Sequence, residues 1–287
     1  MKKHNLYGFH IIELAIVVVA LGIVGGIGFM VIQKGKTPPA DKAQQQSHQQ
    51  TNKQSAKTNE FVQWQFNGSE WQPASTAPAC EEPLTLGPPL DVTKATAVLY
   101  PGEVRGGDFK PHGGLALDGA DTGKVNVLAM RDSYLFRGSR YLENGEIQYI
   151  LDFMDSCGVF YRYDHLATLT PDVMKLVDTL PAAQIDDSRT NNFSKPVFFK
   201  KSTVVATEVG HAKTKNFGFD IGAFDLRQQN PASKTPPYQT DQLRIADKEQ
   251  SFYAVCWWDL LPATERAIVK GLPTRGDKKG TSDYCQV

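Results

Sequence analysis

The sequence predicts an all-β domain, mainly antiparallel sheet, carried behind one N-terminal transmembrane helix. Three observations predict it. From Val104 onward, short apolar or alternating runs (VNVLAM, SYLFRG, IQYILDFM, VFYRYDHL, PVFFKK, TVVATEV, FGFDIGAFDL, SFYAVCWW) are divided by Gly, Asp and Asn, the pattern of strands and turns. Within that region only the stretch around Pro171 to Thr179 reads as a helix. Ile11 to Ile32 is a run of 22 residues whose only charge is Glu13, about 33 Å of helix against a hydrocarbon core of about 30 Å.

Three segments follow from this. Residues 1–34 are the membrane-spanning helix. Residues 35–60, rich in Gln, Lys and Ser and almost free of large apolar side chains, cannot bury enough surface to fold and read as a flexible tether. Residues 61–287 form the exported domain, with its core over 104–226. The expected location is the cell membrane, single-pass, with the C-terminal domain extracellular or facing the cell wall. Lys2 and Lys3 are matched by Lys34 and Lys36 across the span, so flanking charge does not orient it.

At the start of the domain, FVQWQFNGSEWQP reads as a short hairpin turning at Asn67-Gly68. The Pro-rich stretch from Cys80 to Tyr100 reads as irregular chain draped over the domain. Between His165 and Val197 lies LTPDVMKLVDTLPAAQIDDSRTNNFSK, long for a loop and therefore functional or partly helical. The four cysteines, Cys80, Cys157, Cys256 and Cys285, lack the Cys-x2-Cys spacing of a zinc knuckle and allow three disulfide connectivities. Cys256 with Cys285 is the favoured pair, since it pins the C-terminal tail to the domain. The alternative is four buried thiols.

The 31 basic and 31 acidic side chains cancel, and no basic stripe is interleaved with aromatics, so nucleic acid is not an expected partner. No phosphate-binding Gly-x4-Gly-Lys loop and no Gly-x-Ser-x-Gly elbow occurs.

Two resemblances carry the functional expectations. Gly8-Phe9-His10-Ile11-Ile12-Glu13 resembles the processing site of type IV prepilins. That resemblance implies cleavage between Gly8 and Phe9, with Glu13 as the fifth mature residue, where its carboxylate neutralises a neighbouring subunit's N-terminal amine during assembly. A plain signal anchor is the alternative. RGGDFKPHGGLALDG, GVFYRYDHLATL and TVVATEVGHAKTKNFGFDIGAFDL resemble, in order and spacing, the lysostaphin-type zinc metallopeptidases, a β fold that cleaves cell-wall peptides. The match covers about 120 residues, roughly Arg105 to Leu226.

The family pattern is His-x3-Asp, then Tyr-x-His-Leu, then His-Leu-His-Phe-Glu. His112 matches the first zinc ligand, but Ala116 stands where Asp is needed and Gly218 where the third ligand is needed. His165 matches one catalytic histidine, and Asn216 replaces the other. Asp118, two residues past the lost Asp, is a substitute ligand candidate beside His112. Asp220, Asp225 and His211 are further donors in the same region. The resemblance thus implies a groove lined by Arg105, His112, Asp118, Tyr163, Asn216 and Asp220. In the favoured reading it needs no cofactor and binds peptidoglycan peptides or a partner cell-wall hydrolase. In the second reading zinc, held by His112 and Asp118 with His165 as catalytic residue, makes an active endopeptidase. A third reading is a pilin-like surface subunit using Glu13.

Overall fold

The computed structural model describes residues 60–120, 122–275 and 280–286. Thirteen strands pair there, and every paired strand is antiparallel. Gly8, Phe9 and Glu13 lie outside the described residues. Among the described residues, no helix is long and apolar enough to cross a membrane.

The N-terminal hairpin, β1 (Trp64–Phe66) and β2 (Trp71–Pro73), turns where Asn67 Oδ1 accepts from the amides of Ser69 and Glu70 at 2.9 Å each. An Asn at the first turn position does this readily. The Pro-rich strap then crosses the domain: Leu86 and Leu90 are fully buried, and Cys80 is bonded to Cys157. Cys256 is bonded to Cys285, the favoured pair.

The main sheet has nine strands, in the order β11 (Asn191–Phe199), β8 (Ser133–Glu143), β9 (Glu146–Met154), β10 (Val159–Leu169), β13 (Gly218–Asp225), β6 (Gly113–Ala116) and β3 (Ala97–Leu99). β12 (Val204–Val209) branches from β10 and carries β7 (Lys124–Leu128). The remaining pair, β4 (Glu103–Arg105) and β5 (Asp108–Lys110), forms a separate ribbon.

The branch is the feature that makes the site. Val159 to Asp164 of β10 pair with Asp225 to Asp220 of β13, whereas Leu166 to Leu169 pair with Val209 to Ala206 of β12. Between the two partners sits His165, at φ +59°, and the register against β9 shifts there as well. An extra residue in a strand inverts the alternation of faces beyond it. Tyr163 and Leu166 are accordingly both fully buried in one apolar cluster, while Asp164 and His165 stand side by side on the opposite face.

That opposite face is divided. At one end Met154, Phe160 and Phe224 pack beneath Trp64, Trp71, Phe252 and Tyr253. Further along it turns polar: Asp152, fully buried, receives Arg137 Nε at 2.6 Å and Arg162 Nε at 2.7 Å. A buried carboxylate survives only with such partners. Beyond this row lie Asp164, Asp220 and His112.

Helices are more numerous than the sequence suggests. The expected one forms as α1 (Pro171–Val177). α2 (Pro237–Thr240), α3 (Gln242–Ile245), α4 (Lys248–Ser251) and α5 (Ala263–Lys270) follow β13. SFYAVCWW is not a strand. Phe252 and Tyr253 serve one core, Cys256, Trp257 and Trp258 the other, and Trp257–Leu260 form a 3-10 turn. The run is apolar throughout because it passes between two cores, which periodicity alone does not separate from a buried strand.

Candidate functional site

Three backbone devices bring the site together. Glu143 closes β8 against Glu146 of β9, across Asn144 at φ +51° and Gly145 at φ +73°, the residue pair that favours a tight hairpin. His165 is fixed by the bulge in β10. His211 begins the loop from β12 to β13, anchored by the Gly210 amide on the His165 carbonyl (2.7 Å) and by reciprocal bonds between the backbones of His211 and Asn216 (2.8 and 3.1 Å). Gly210 lies at φ +76°, and a Cβ there would stand 2.3 Å from the Asn216 carbonyl oxygen, so no other residue fits without rearrangement.

Glu143, His165 and His211 converge at this fork. Glu143 Oε2 is 3.4 Å from His165 Nδ1 and 3.3 Å from His211 Nε2, yet it makes no hydrogen bond, and His211 Nδ1 is also without a partner. Tyr141 Oη donates to Asp164 Oδ1 at 2.6 Å and lies 3.1 Å from His165 Nδ1. Burial, reinforced by the charge of Asp164, pushes the Tyr141 phenol far above its usual range, so it stays a hydroxyl donor. Burial alone would lower the His165 pKa, but Asp164, Asp220 and Glu143 outweigh it and raise the value. His211 moves the other way, lowered by burial and by His165 beside it.

A second cluster adjoins the first. His112 Nε2 lies 2.9 Å from Asp220 Oδ2, and Arg105 Nη2 is 3.7 Å from the same oxygen. Arg105 is itself held by the Tyr100 carbonyl (2.9 Å), the His112 carbonyl (3.2 Å) and Glu103 (3.3 Å). Burial would raise the Asp220 pKa, but the charge and hydrogen bond of His112, with His165 and Arg105 behind them, hold it well below the usual carboxylate range.

Both clusters open into one cavity of about 350 Å³, lined by Leu99, His165, His211, Asn216, Gly218, Asp220 and Arg275. It presents imidazoles, a carboxylate, an amide and a guanidinium together, a set able to hold a polar ligand of mixed charge.

The fold brings together most of the residues singled out in the sequence. His112, Asp220 and Arg105 touch, and His165 and Asn216 line the same cavity. Two do not belong. Asp118 lies beyond the end of β6 and pairs with Arg275 at 2.9 Å instead of joining His112, because the strand stops at Ala116. Tyr163 faces the opposite side, fully buried, donating to the Leu128 carbonyl at 2.5 Å; strand alternation sends it into the core while its neighbour Asp164 faces the site. Residues 116 and 218, where the resemblance requires a second and a third ligand, are register partners. As Ala116 and Gly218 they offer no donor atom, so zinc does not fit at that position: of the three ligands only His112 remains, and it is engaged with Asp220.

Sequence reasoning missed Glu143, Tyr141 and Arg275. The Asn144-Gly145 pair was the available signal for Glu143, since it marks a hairpin tip that brings the flanking residues to a sheet end. Nothing local announces Arg275. Among the described residues, two groups of three donors are close enough to hold a metal: Glu143 with His165 and His211, and Cys80 with Asp155 and Cys157, whose sulfurs are joined in a disulfide. Compared with known proteins, the chain matches no family model, no curated protein and no solved structure.

Proposed function

We propose that this is a membrane-anchored cell-envelope protein whose β domain, similar to the lysostaphin-type peptidases, binds peptidoglycan stem peptides in the cavity beside His112 without cutting them there. One observation carries this reading: Ala116 and Gly218 face each other in register beside the His112 and Asp220 pair. A hydrolytic zinc needs about three protein ligands and an open position, and only one donor stands at that place. The same side chains suit recognition. Asp220 accepts from an amine, Arg275 answers a carboxylate, and Asn216 addresses an amide, which are the groups a short branched peptide offers.

In this reading residues 1–34 hold the protein in the membrane and 35–60 let the domain reach the wall. The partner is the wall peptide itself, or a hydrolase whose product the cavity retains. Calorimetric titration of the full chain with a soluble cross-linked stem peptide tests it. Saturable binding is expected, weakened about tenfold or more, about 1.4 kcal/mol, by Asp220→Asn and by Arg275→Ala. Absence of binding, or binding indifferent to both substitutions, overturns it.

A further inference from the structure

We propose that Glu143, His165 and His211 form a binding site for one divalent transition-metal ion, best matched by zinc, at the fork between β12 and β13. This is not the position that the family resemblance assigns to a metal. It rests on other side chains, brought together by other parts of the backbone.

The donor geometry is the first argument. One ligand atom from each of the three residues lies within 4.8 Å of the others. The two distances from Glu143 Oε2 to the imidazole nitrogens are 3.3 and 3.4 Å. Two ligands at about 2.0–2.1 Å from a tetrahedral ion stand about 3.3–3.4 Å apart. Both carboxylate-to-imidazole spacings are therefore those of ligands sharing an ion.

Second, Glu143 Oε2 makes no hydrogen bond, so a buried carboxylate oxygen lies 3.3 and 3.4 Å from two imidazole nitrogens with its lone pairs unsatisfied. In an ordinary His–Glu pair the oxygen would lie on the N–H axis of one ring.

Third, the backbone fixes each donor. His165 occupies a left-handed conformation that a strand residue rarely adopts, the Asn144-Gly145 turn holds Glu143, and the Gly210 turn holds His211. Of these only His165 is strained, and such strain concentrates where a fixed constellation of side chains is needed.

Imidazole with carboxylate selects zinc or a neighbouring first-row ion over calcium or magnesium, which prefer all-oxygen shells. His165 and His211 also line the cavity with Asn216, Asp220 and Arg275, so an ion they hold would be accessible there to an anionic or carbonyl ligand. Binding requires neutral imidazoles at the ligating nitrogens, so protons leave to solvent as the ion enters.

The test uses the full chain, stripped of metal and titrated with zinc alone, with cobalt(II) as a spectroscopic substitute. One equivalent per chain is expected, with thermal unfolding shifted upward by zinc. Glu143→Gln and His211→Asn should each weaken uptake at least about tenfold, while Asp172→Asn, on the exposed face of α1, leaves it unchanged. X-ray absorption of the zinc-loaded wild type should show two imidazoles and one carboxylate, a readout that survives even if a variant fails to fold. Lack of stoichiometric zinc, equal affinity in folded Glu143→Gln and His211→Asn variants, or a shell without two imidazoles each overturns the site. The proposal does not depend on peptide binding. Metal uptake is measured without peptide, so either can fail alone.

Discussion

The Asp220 carboxylate is the pivot of the cavity, since His112 and Arg105 share its Oδ2 and its surroundings keep it ionised. A group with a depressed folded pKa contributes stability above its unfolded value, near 4, and loses it as pH falls through the folded one. Asp220→Asn should therefore cost about 1–3 kcal/mol at pH 7 and progressively less as pH falls below about 4, checked by denaturant titration at pH 7 and pH 3. Tyr163 gives the contrasting expectation. Its hydroxyl bonds only into the core, so Tyr163→Phe should cost about 1 kcal/mol of stability and leave peptide affinity unchanged.

Asp247 behaves in the opposite sense to Asp220. Burial raises its pKa to about 7, against the pull of Arg162 and with the help of Glu249. Between about 4 and 7 the folded chain holds a proton that the unfolded chain has released, so stability falls as pH rises through that window. The ceiling is about 4 kcal/mol, and partial exposure of the group reduces it to roughly 1–2. Replacing Asp247 by Asn should raise stability at pH 8 and flatten the slope between pH 5 and 7, as read from unfolding midpoints.

At the scale of elements, the fork in β10 decides where chemistry is possible. A regular strand would have sent His165 to the core side with Tyr163, whereas the bulge turns it to the side of Asp164. The Gly210 turn then brings His211 back against it. Gly210→Ala should destabilise the domain by about 1–3 kcal/mol and displace His211, reducing zinc uptake without touching a ligand. The strands themselves were legible, because alternation in VFYRYDHL and FGFDIGAFDL reports one buried face. A bulge leaves no such trace. One extra residue changes which side chains meet without altering composition, which is why regular alternation places Tyr163 on the same face as His165, whereas Glu143 is announced only by the Asn144-Gly145 turn beside it. Asp118 was misplaced for a related reason: alternation puts 112 and 118 on one face only while the strand continues, and it ends at Ala116. The helices after β13 were illegible because each spans only a few residues and is held by packing.

For the whole molecule, two disulfides tie irregular chain to the sheet. Cys80 and Cys157 are 77 residues apart, Cys256 and Cys285 are 29 apart. Loop-closure entropy makes the first worth about 4.5 kcal/mol and the second about 3.6, so a Cys80→Ser, Cys157→Ser double variant should lose more stability than its counterpart at 256 and 285. Such bonds suit an oxidising compartment, in keeping with the proposed export. Sequencing the N-terminus of the mature protein checks the membrane end: a start at Phe9 is expected from prepilin-type processing, and a start at Met1 contradicts it. The central claim is that the domain holds wall peptides at the His112 cavity without hydrolysing them there. Its most direct test is to incubate the full chain, with zinc supplied, with insoluble peptidoglycan and to measure both protein in the pellet and free amines in the supernatant. Protein retained on the wall with no amine release above blank is predicted, and amine release that Asp220→Asn abolishes would contradict it.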